Sequence, residues 1–337
     1  MNRLVGGLLI VCLLSMNGYA YGPRGHQLVG AIADKRLAHN QAALKKVRKL
    51  LDGMTLQRAA TLPDEIKSWK CGKEPAGPNR INRELQAFVN ANCSGHPSHN
   101  EFHYTDVPVA GNEKYADGEV GRSEFDVVKM IPFCIRVLKG ELPETNERAI
   151  TKAVAVILLT HYMGDIHQPL HVGAEYFDSS GKPFEPTPQN VGFADQGGNK
   201  LTLFTFVSGQ RKSAGKFHGY WDGQTVENAF GTQADAKVAQ RLGSKEPDDW
   251  ELSGDVETWA EKLANDILPT AREAHSRLQY KNIQFQSNKP EISSGRAEER
   301  THHAGDTFYA LWAADVVKSE IHKGGWRLAA LLEQIVQ

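Results

Sequence analysis

A surplus of either charge is missing: 39 lysines and arginines stand against 40 aspartates and glutamates in 337 residues. A basic stripe of the kind that holds duplex DNA electrostatically is therefore not implied, and any nucleic-acid binding has to be local. Also missing is an apolar run of the roughly 20 residues that a membrane-spanning helix needs. The apolar stretch at residues 4–14 is too short for that. Cysteine is scarce, with four in the chain, and none shows zinc-finger spacing. No repeat of fixed period and no domain linker stands out, so one large domain is expected.

Arg3, the apolar segment 4–14 and the tail Gly18-Tyr19-Ala20 form a signal-peptide pattern, residues 1–20, with small residues where a signal peptidase reads. Cleavage between Ala20 and Tyr21 delivers a domain spanning 21–337 to the periplasm or the cell exterior. Cys12 leaves with the leader, and Cys71, Cys93 and Cys134 remain. In an oxidising compartment this odd count implies one pair and a free thiol, or an intermolecular bridge. Cys71 and Cys93 flank a segment rich in Pro, Gly and Asn and are expected to pair. Cys134, within MIPFCIRVL, reads as a buried free thiol.

Leu28, Val29, Ile32, Ala33 and Leu37 recur with a 3.6-residue period and predict a helix over 25–37, with His26 in its first turn. A second helix is expected over 40–51. Asp64 follows Pro63, where it either caps the next helix or serves as a ligand. Residues 71–100 read as a long polar loop, and EFHYTDVP as an extended segment carrying His103 and Asp106. Helices are expected over 123–139 and from 146 onward, the latter apolar on nearly all sides. Residues 173–198 read as an exposed loop, 201–206 as the one clear strand, and 259–278 as an amphipathic helix. A polar stretch at 285–303 and two closing helices over 306–335 complete the chain. His39, His275 and His322 on polar helix faces, and His302 and His303 in a charged loop, are expected in solvent. His96 and His99 are expected near the rim of the FHYTD segment. The fold class is mainly α, a single helical domain with long loops and little strand.

The motif HYMGDIHQPLHVG at 161–173 concentrates metal donors. On a helix, His161 and Asp165 stand i, i+4 and share a face. Pro169 disfavours further helix, so His171 can turn back toward the same point. Any one of these histidines alone fits a buried, hydrogen-bonded position better than a ligand; together, behind an apolar run, they point to zinc. HGYWD repeats the spacing with His218 and Asp222. With the amine of Tyr21, His26, Asp64 and His103, the candidate donor groups number nine. A catalytic zinc takes about three protein ligands and leaves a position for water, so nine groups suggest about three ions.

The motifs YGPRGH at 21–26, Asp64, FHYTDVP, HYMGDIHQPLH, GGNK at 197–200 and HGYWD at 218–222 resemble the zinc-dependent single-strand nucleases of the S-one/P-one type. That family shares a helical fold with zinc-dependent phospholipase C, and the likeness extends to the closing segment GGWRLAALLEQIV. The resemblance implies three Zn2+. Asp64, His103, His161 and Asp165 would hold the first, with Asp165 bridging to a second held by His26 and the main-chain amine and carbonyl of Tyr21. His171, His218 and Asp222 would hold the third. Where the family commonly begins with Trp, this chain has Tyr21.

The resemblance further implies a catalytic centre at Asp64, His103, Asp106 and Asp165. Water acidified by zinc to a pKa of about 7 attacks phosphorus, and single-stranded DNA and RNA yield products with 5′ phosphates; 3′-nucleotidase activity stays open. Asp106 is expected near the scissile phosphate and Asn199 near a nucleotide. Tyr104 is either a platform on which a base stacks or a core aromatic. His167 is expected as a hydrogen-bonding neighbour of the metals. No membrane and no obligate protein partner is implied. Two other functions compete. A zinc phospholipase C of this fold tends to close its ligand set with HxxxE, where this chain ends in Asp222. A secreted protein that only sequesters zinc would need neither a bridging carboxylate nor open coordination positions.

Overall fold

The helix Lys152–Asp165 is the axis around which the other elements pack, and its sequence explains why. Thr151 starts it by accepting the Val154 N–H at 3.2 Å, and every residue from Ala153 to Asp165 is buried. A helix with no polar face has to be enclosed. Helices Gly22–Leu37, Val127–Lys139 and Tyr309–Ile335 enclose it. The computed structural model describes residues 21–75, 77, 79–93, 97–301 and 307–336. The expected leader, residues 1–20, and His96, His302 and His303 lie outside the described residues.

The N-terminal helix begins three residues earlier than its period predicts, at Gly22, and buries Leu28, Val29 and Ile32. It packs closely on the closing helix because Gly325 has no side chain: a Cβ there would sit 2.5 Å from Ile32 Cγ2. Two closing helices were expected; the structure has one, Tyr309–Ile335. The Gly324-Gly325 pair, which weakens helix propensity, is held in register by that contact. The second helix, Gln41–Leu50, follows Asn40, whose side chain caps Ala43 N–H.

Four further expectations are corrected. The polar segment 71–100 contains a helix, Arg80–Ala91, capped by Asn79, with Ile81, Leu85, Phe88 and Val89 buried on one face. Its flanking Pro and Asn masked an i, i+4, i+7, i+8 pattern. The helix expected over 123–139 starts only at Val127, after Asp126 accepts Val128 and Lys129 N–H. Residues 173–198 are not uniformly exposed, since residues 173–177 are buried and form short ladders. The strand Leu201–Val207 is not alone: it lies in a four-stranded sheet with Gln210–Lys216 antiparallel on one side and Ile292–Glu299 parallel on the other, the latter pairing antiparallel with Leu278–Phe285. The polar stretch 285–303 thus holds a strand whose outward residues disguised it. Helix still dominates, and the fold is mainly α.

Two histidines depart from solvent. His275 is buried with Nδ1 bonded to the Tyr280 hydroxyl at 2.7 Å, and His322 is buried with Nε2 against the Leu242 and Lys245 carbonyls. His39 is exposed as expected. Cys71 and Cys93 form the expected disulfide, with Cα atoms 5.9 Å apart, and Cys134 is a buried free thiol.

Candidate metal centre

Three short pieces of chain converge on the C-terminal end of the central helix. That helix brings His161 and Asp165, one turn apart, to its last two turns. The Val107–Pro108 strand pairs in parallel with Gly173–Ala174, and Thr105 N–H and Val107 N–H donate to the His171 and Val172 carbonyls. This splice sets His103 and His171 side by side. The third piece, Phe217–Gln224, runs as a helical turn followed by a π-helix, placing His218 and Asp222 on one inward face.

The glycine turn of GGNK docks this third piece. Gly197 and Gly198 have φ of 56° and 81°, where a Cβ is strained, and a Cβ on Gly197 would fall 2.2 Å from the Leu170 carbonyl oxygen. The Gly197 carbonyl then accepts a hydrogen bond from His218 Nδ1 at 2.7 Å.

The donors assemble into three groups, each with ligand atoms within 4.8 Å of one another: His26, His161 and Asp165; Asp64, His103 and His161; His171, His218 and Asp222. The two oxygens of Asp165 face different histidines. Oδ2 lies 3.0 Å from His103 Nδ1 and 3.3 Å from His161 Nε2, whereas Oδ1 lies 3.4 Å from His26 Nε2. Asp64 Oδ1 is 3.6 Å from His161 Nε2, inside the short helix Leu62–Glu65 and not at its cap. In the third group His218 Nε2 is 3.4 Å from Asp222 Oδ2.

The histidine tautomers are set by carbonyls, which can only accept. Nδ1–H of His161, His171 and His218 donates to Ala60, His103 and Gly197 respectively. Each Nε2 lone pair is thereby turned into the centre, the arrangement metal-binding histidines adopt. Gln168 orients the third group, donating from Nε2 to Asp222 Oδ1 at 2.9 Å.

The electrostatics call for a cation. Asp165 and Asp222 are held well above the ordinary carboxylate range, first by burial; next, the Asp64 charge raises Asp165 further, and for Asp222 that charge is opposed by the Gln168 hydrogen bond. His103, His161 and His171 are held well below theirs, again first by burial, and His218 falls to about 4. Asp165 Oδ1, Asp222 Oδ2 and His171 Nε2 are buried without a hydrogen-bond partner among the described residues. Unpaired buried acceptors of this kind cost several kcal/mol unless neutralised. Divalent cations of the borderline type, with nitrogen and carboxylate ligands, meet that need, so the residues present fit zinc.

His26 reaches the centre through a close fit. Its ring stacks on His161 with centroids 3.8 Å apart, and Gly164 makes the room, since a Cβ there would lie 2.6 Å from His26 Nδ1. Replacing Gly164 by alanine is expected to leave the helix intact, as alanine favours it, yet displace this ring. Zinc affinity at one locus should fall by about 10–100-fold, the scale on which disturbed ligand orientation acts; a zinc titration that matched wild type would rule this out.

Tyr21 is fully buried, with φ of 44°, and its carbonyl already accepts the Gly25 N–H at 3.0 Å. Of its carbonyl oxygen, a second lone pair remains for an ion. Beside the donors lies a cavity of about 270 Å³ lined by His103, His171 and His218 together with Lys67, Asn100, Tyr104, Asp106, Gln196 and Asn199. Tyr104 is exposed at 38%, which removes the core-aromatic alternative. Asp106 is pushed up to about 7 by burial and then by Glu291 and Asp126, and its Oδ1 has no hydrogen-bond partner among the described residues. Asn199 is exposed and donates to the Gln196 carbonyl.

Lys67 escaped sequence reasoning: its Nζ is 2.6 Å from Asp64 Oδ1, and the i, i+3 spacing was the available signal. His99 is not at the rim; it is buried beside Phe88, ring centroids 5.6 Å apart.

Fold and site together define a helical hydrolase built round a buried centre of histidine and aspartate. The chain belongs to the S1/P1 nuclease family, whose model matches residues 21–337. It is 26% identical over 346 residues to Endonuclease 4 of Arabidopsis thaliana, covering 97% of this chain and 93% of that protein. It is 23% identical to Endonuclease 5 of the same plant, covering 99% and 97% respectively, and 24% to Endonuclease 1, covering 98% and 92%. The chain is accordingly a nuclease, a hydrolytic phosphodiesterase of a zinc-dependent family.

Proposed function

We propose that this nuclease is a trinuclear-zinc endonuclease that cuts single-stranded DNA and RNA to products with 5′ phosphates. The observation that carries the reading is Asp165, whose two oxygens face two separate histidine sets beside a third complete group. Asp64, His103, His161 and Asp165 would hold one ion. His26, Asp165 and the main chain of Tyr21 would hold the second, and His171, His218 and Asp222 the third. Zinc bound there supplies Lewis acidity, polarising a phosphoryl oxygen and making water acidic near neutral pH.

The chain's own residues do the rest. Lys67, at the cavity wall, adds a positive charge that draws in a phosphodiester. Asp106, whose Oδ1 is buried with no hydrogen-bond partner among the described residues, would orient the attacking water. Tyr104, part-exposed in the cavity lining, would stack a base, and Asn199 in the same lining would offer its amide. A cavity of about 270 Å³ is small for a paired base, so a strand must present its nucleotide unpaired. Export before action is supported by the disulfide and by a family match that opens on Tyr21. Periplasm or cell exterior is the proposed location.

Parallel assays on single-stranded DNA, RNA, duplex DNA, a 3′-mononucleotide and phosphatidylcholine test the reading. Cleavage of both single strands to 5′-phosphorylated ends is expected, abolished by chelator and restored by zinc, with duplex slower by at least about tenfold; the unpairing cost of a few kcal/mol sets that scale. Hydrolysis of phosphatidylcholine alone would overturn it.

A further inference from the structure

The family resemblance makes the first mature residue a ligand through its main chain, and here that residue is a tyrosine whose side chain is also engaged. Its hydroxyl donates to the His167 carbonyl oxygen at 2.5 Å, both groups buried. The His167 ring is held on both sides. Nδ1–H donates to the Met163 carbonyl at 2.6 Å, and Nε2 accepts from Arg327 Nη1 at 3.1 Å. Arg327, 2% exposed on the closing helix, is itself fixed by the Trp250 and Asp249 carbonyls and by Asp266 Oδ2. Gly324, one turn earlier on the same helix, lies against the Met163 carbonyl that takes the His167 Nδ1–H, and a Cβ there would sit 3.3 Å from that oxygen.

We propose that Arg327, His167 and the Tyr21 hydroxyl form a positioning relay that anchors the mature N-terminus, so that its main-chain atoms stay fixed five residues ahead of His26. The inference rests on the reading of Tyr21 as a metal ligand. A bare terminus would fray, since the first residues of a chain are poorly ordered unless tied down. Tyr21 is tied at its side chain by this relay, and the next residue is seated so closely that a Cβ added to Gly22 would fall 2.8 Å from the Asp222 carbonyl oxygen. None of the three relay groups is among the proposed ligand side chains. Their effect on zinc runs through the position of the terminus.

The test crosses two variants, Tyr21→Phe and Arg327→Lys, with two forms of the protein, one beginning at Tyr21 and one retaining Ala20. Zinc stoichiometry and affinity are measured by competition with a chelator. In the mature form each variant is expected to weaken one ion by about 10–100-fold, the range for residues that orient a ligand, leaving the others unchanged. In the form retaining Ala20 neither variant should lower zinc affinity further, because the terminal amine is already gone. Equal weakening in both forms would mean general loosening of the site and would overturn the relay, as would wild-type affinity in mature Tyr21→Phe. Wild-type protein that holds all its zinc as tightly with Ala20 attached would instead refute the ligand reading of Tyr21, and the relay with it.

Discussion

Asp165→Asn protein is expected to lose at least about a thousandfold in turnover, roughly 4 kcal/mol at 1.36 kcal/mol per tenfold, and to bind fewer zinc ions. The substitution is nearly isosteric, so packing at the end of the central helix survives. What disappears is the charge that both oxygens present: Oδ2 to His103 and His161, Oδ1 to His26. An amide offers one weak acceptor where, on the proposed reading, two ions would need an anion between them. The metal-free variant should be no less stable than metal-free wild type. Burial raises the Asp165 pKa on folding; a carboxyl raised in this way costs stability as pH climbs past its unfolded value near about 3.9. Asparagine removes that cost, whereas in wild type the proposed bound cation would offset it. Metal analysis, initial rates on a short single strand and thermal melts of the metal-free proteins at pH 5 and 8 check each part. Full turnover with normal zinc content would sink the bridging role.

The donors were legible because they come in local pairs. His161 with Asp165 and His218 with Asp222 sit one turn apart, and an apolar run ahead of the first pair marks a helix with nowhere to go but the core. What sets the chemistry of those donors was not legible. The acceptors that fix the imidazole tautomers are the carbonyls of Ala60, His103 and Gly197, and a carbonyl carries no signature in the sequence.

The same distinction separates the elements found from those missed. Gln210–Lys216 lacks clear apolar alternation and forms as the return arm of a hairpin with Leu201–Val207, whereas Ile292–Glu299 exists through pairing with Leu201–Val207 from far along the chain, a long-range cause. His275 and His322 sit on helices whose neighbours in sequence are polar, yet Tyr280 bonds the first and the carbonyls of the much earlier Leu242 and Lys245 take the second. Lys67 reads as an ordinary surface charge until the fold brings Asp64 to the donors.

A protein that keeps even one residue ahead of Tyr21 is expected to bind one zinc fewer and to lose most of its activity. A free α-amine has a pKa of about 7.7–8.0, so an ion can displace its proton near neutral pH. Once acylated, the same nitrogen is a planar amide whose lone pair is delocalised into the carbonyl, and it no longer serves as a ligand. The main chain cannot shift to compensate. Tyr21 is fully buried, its carbonyl already starts the N-terminal helix, and Gly22 is pressed against Asp222. His26, Asp165 and the Tyr21 carbonyl oxygen alone would be left to hold that ion, without the amine that closes a chelate with the carbonyl and supplies its second nitrogen donor. Zinc should therefore protect the two forms unequally. Ligand at about a hundred times its dissociation constant stabilises by about 2.7 kcal/mol per site, and the extended form forgoes one such site, melting earlier in saturating zinc while matching the mature form in chelator. Metal content, melting temperature with and without zinc, and rates on a short single strand measure all three consequences. Identical values for the two forms would show that the amine of Tyr21 takes no part.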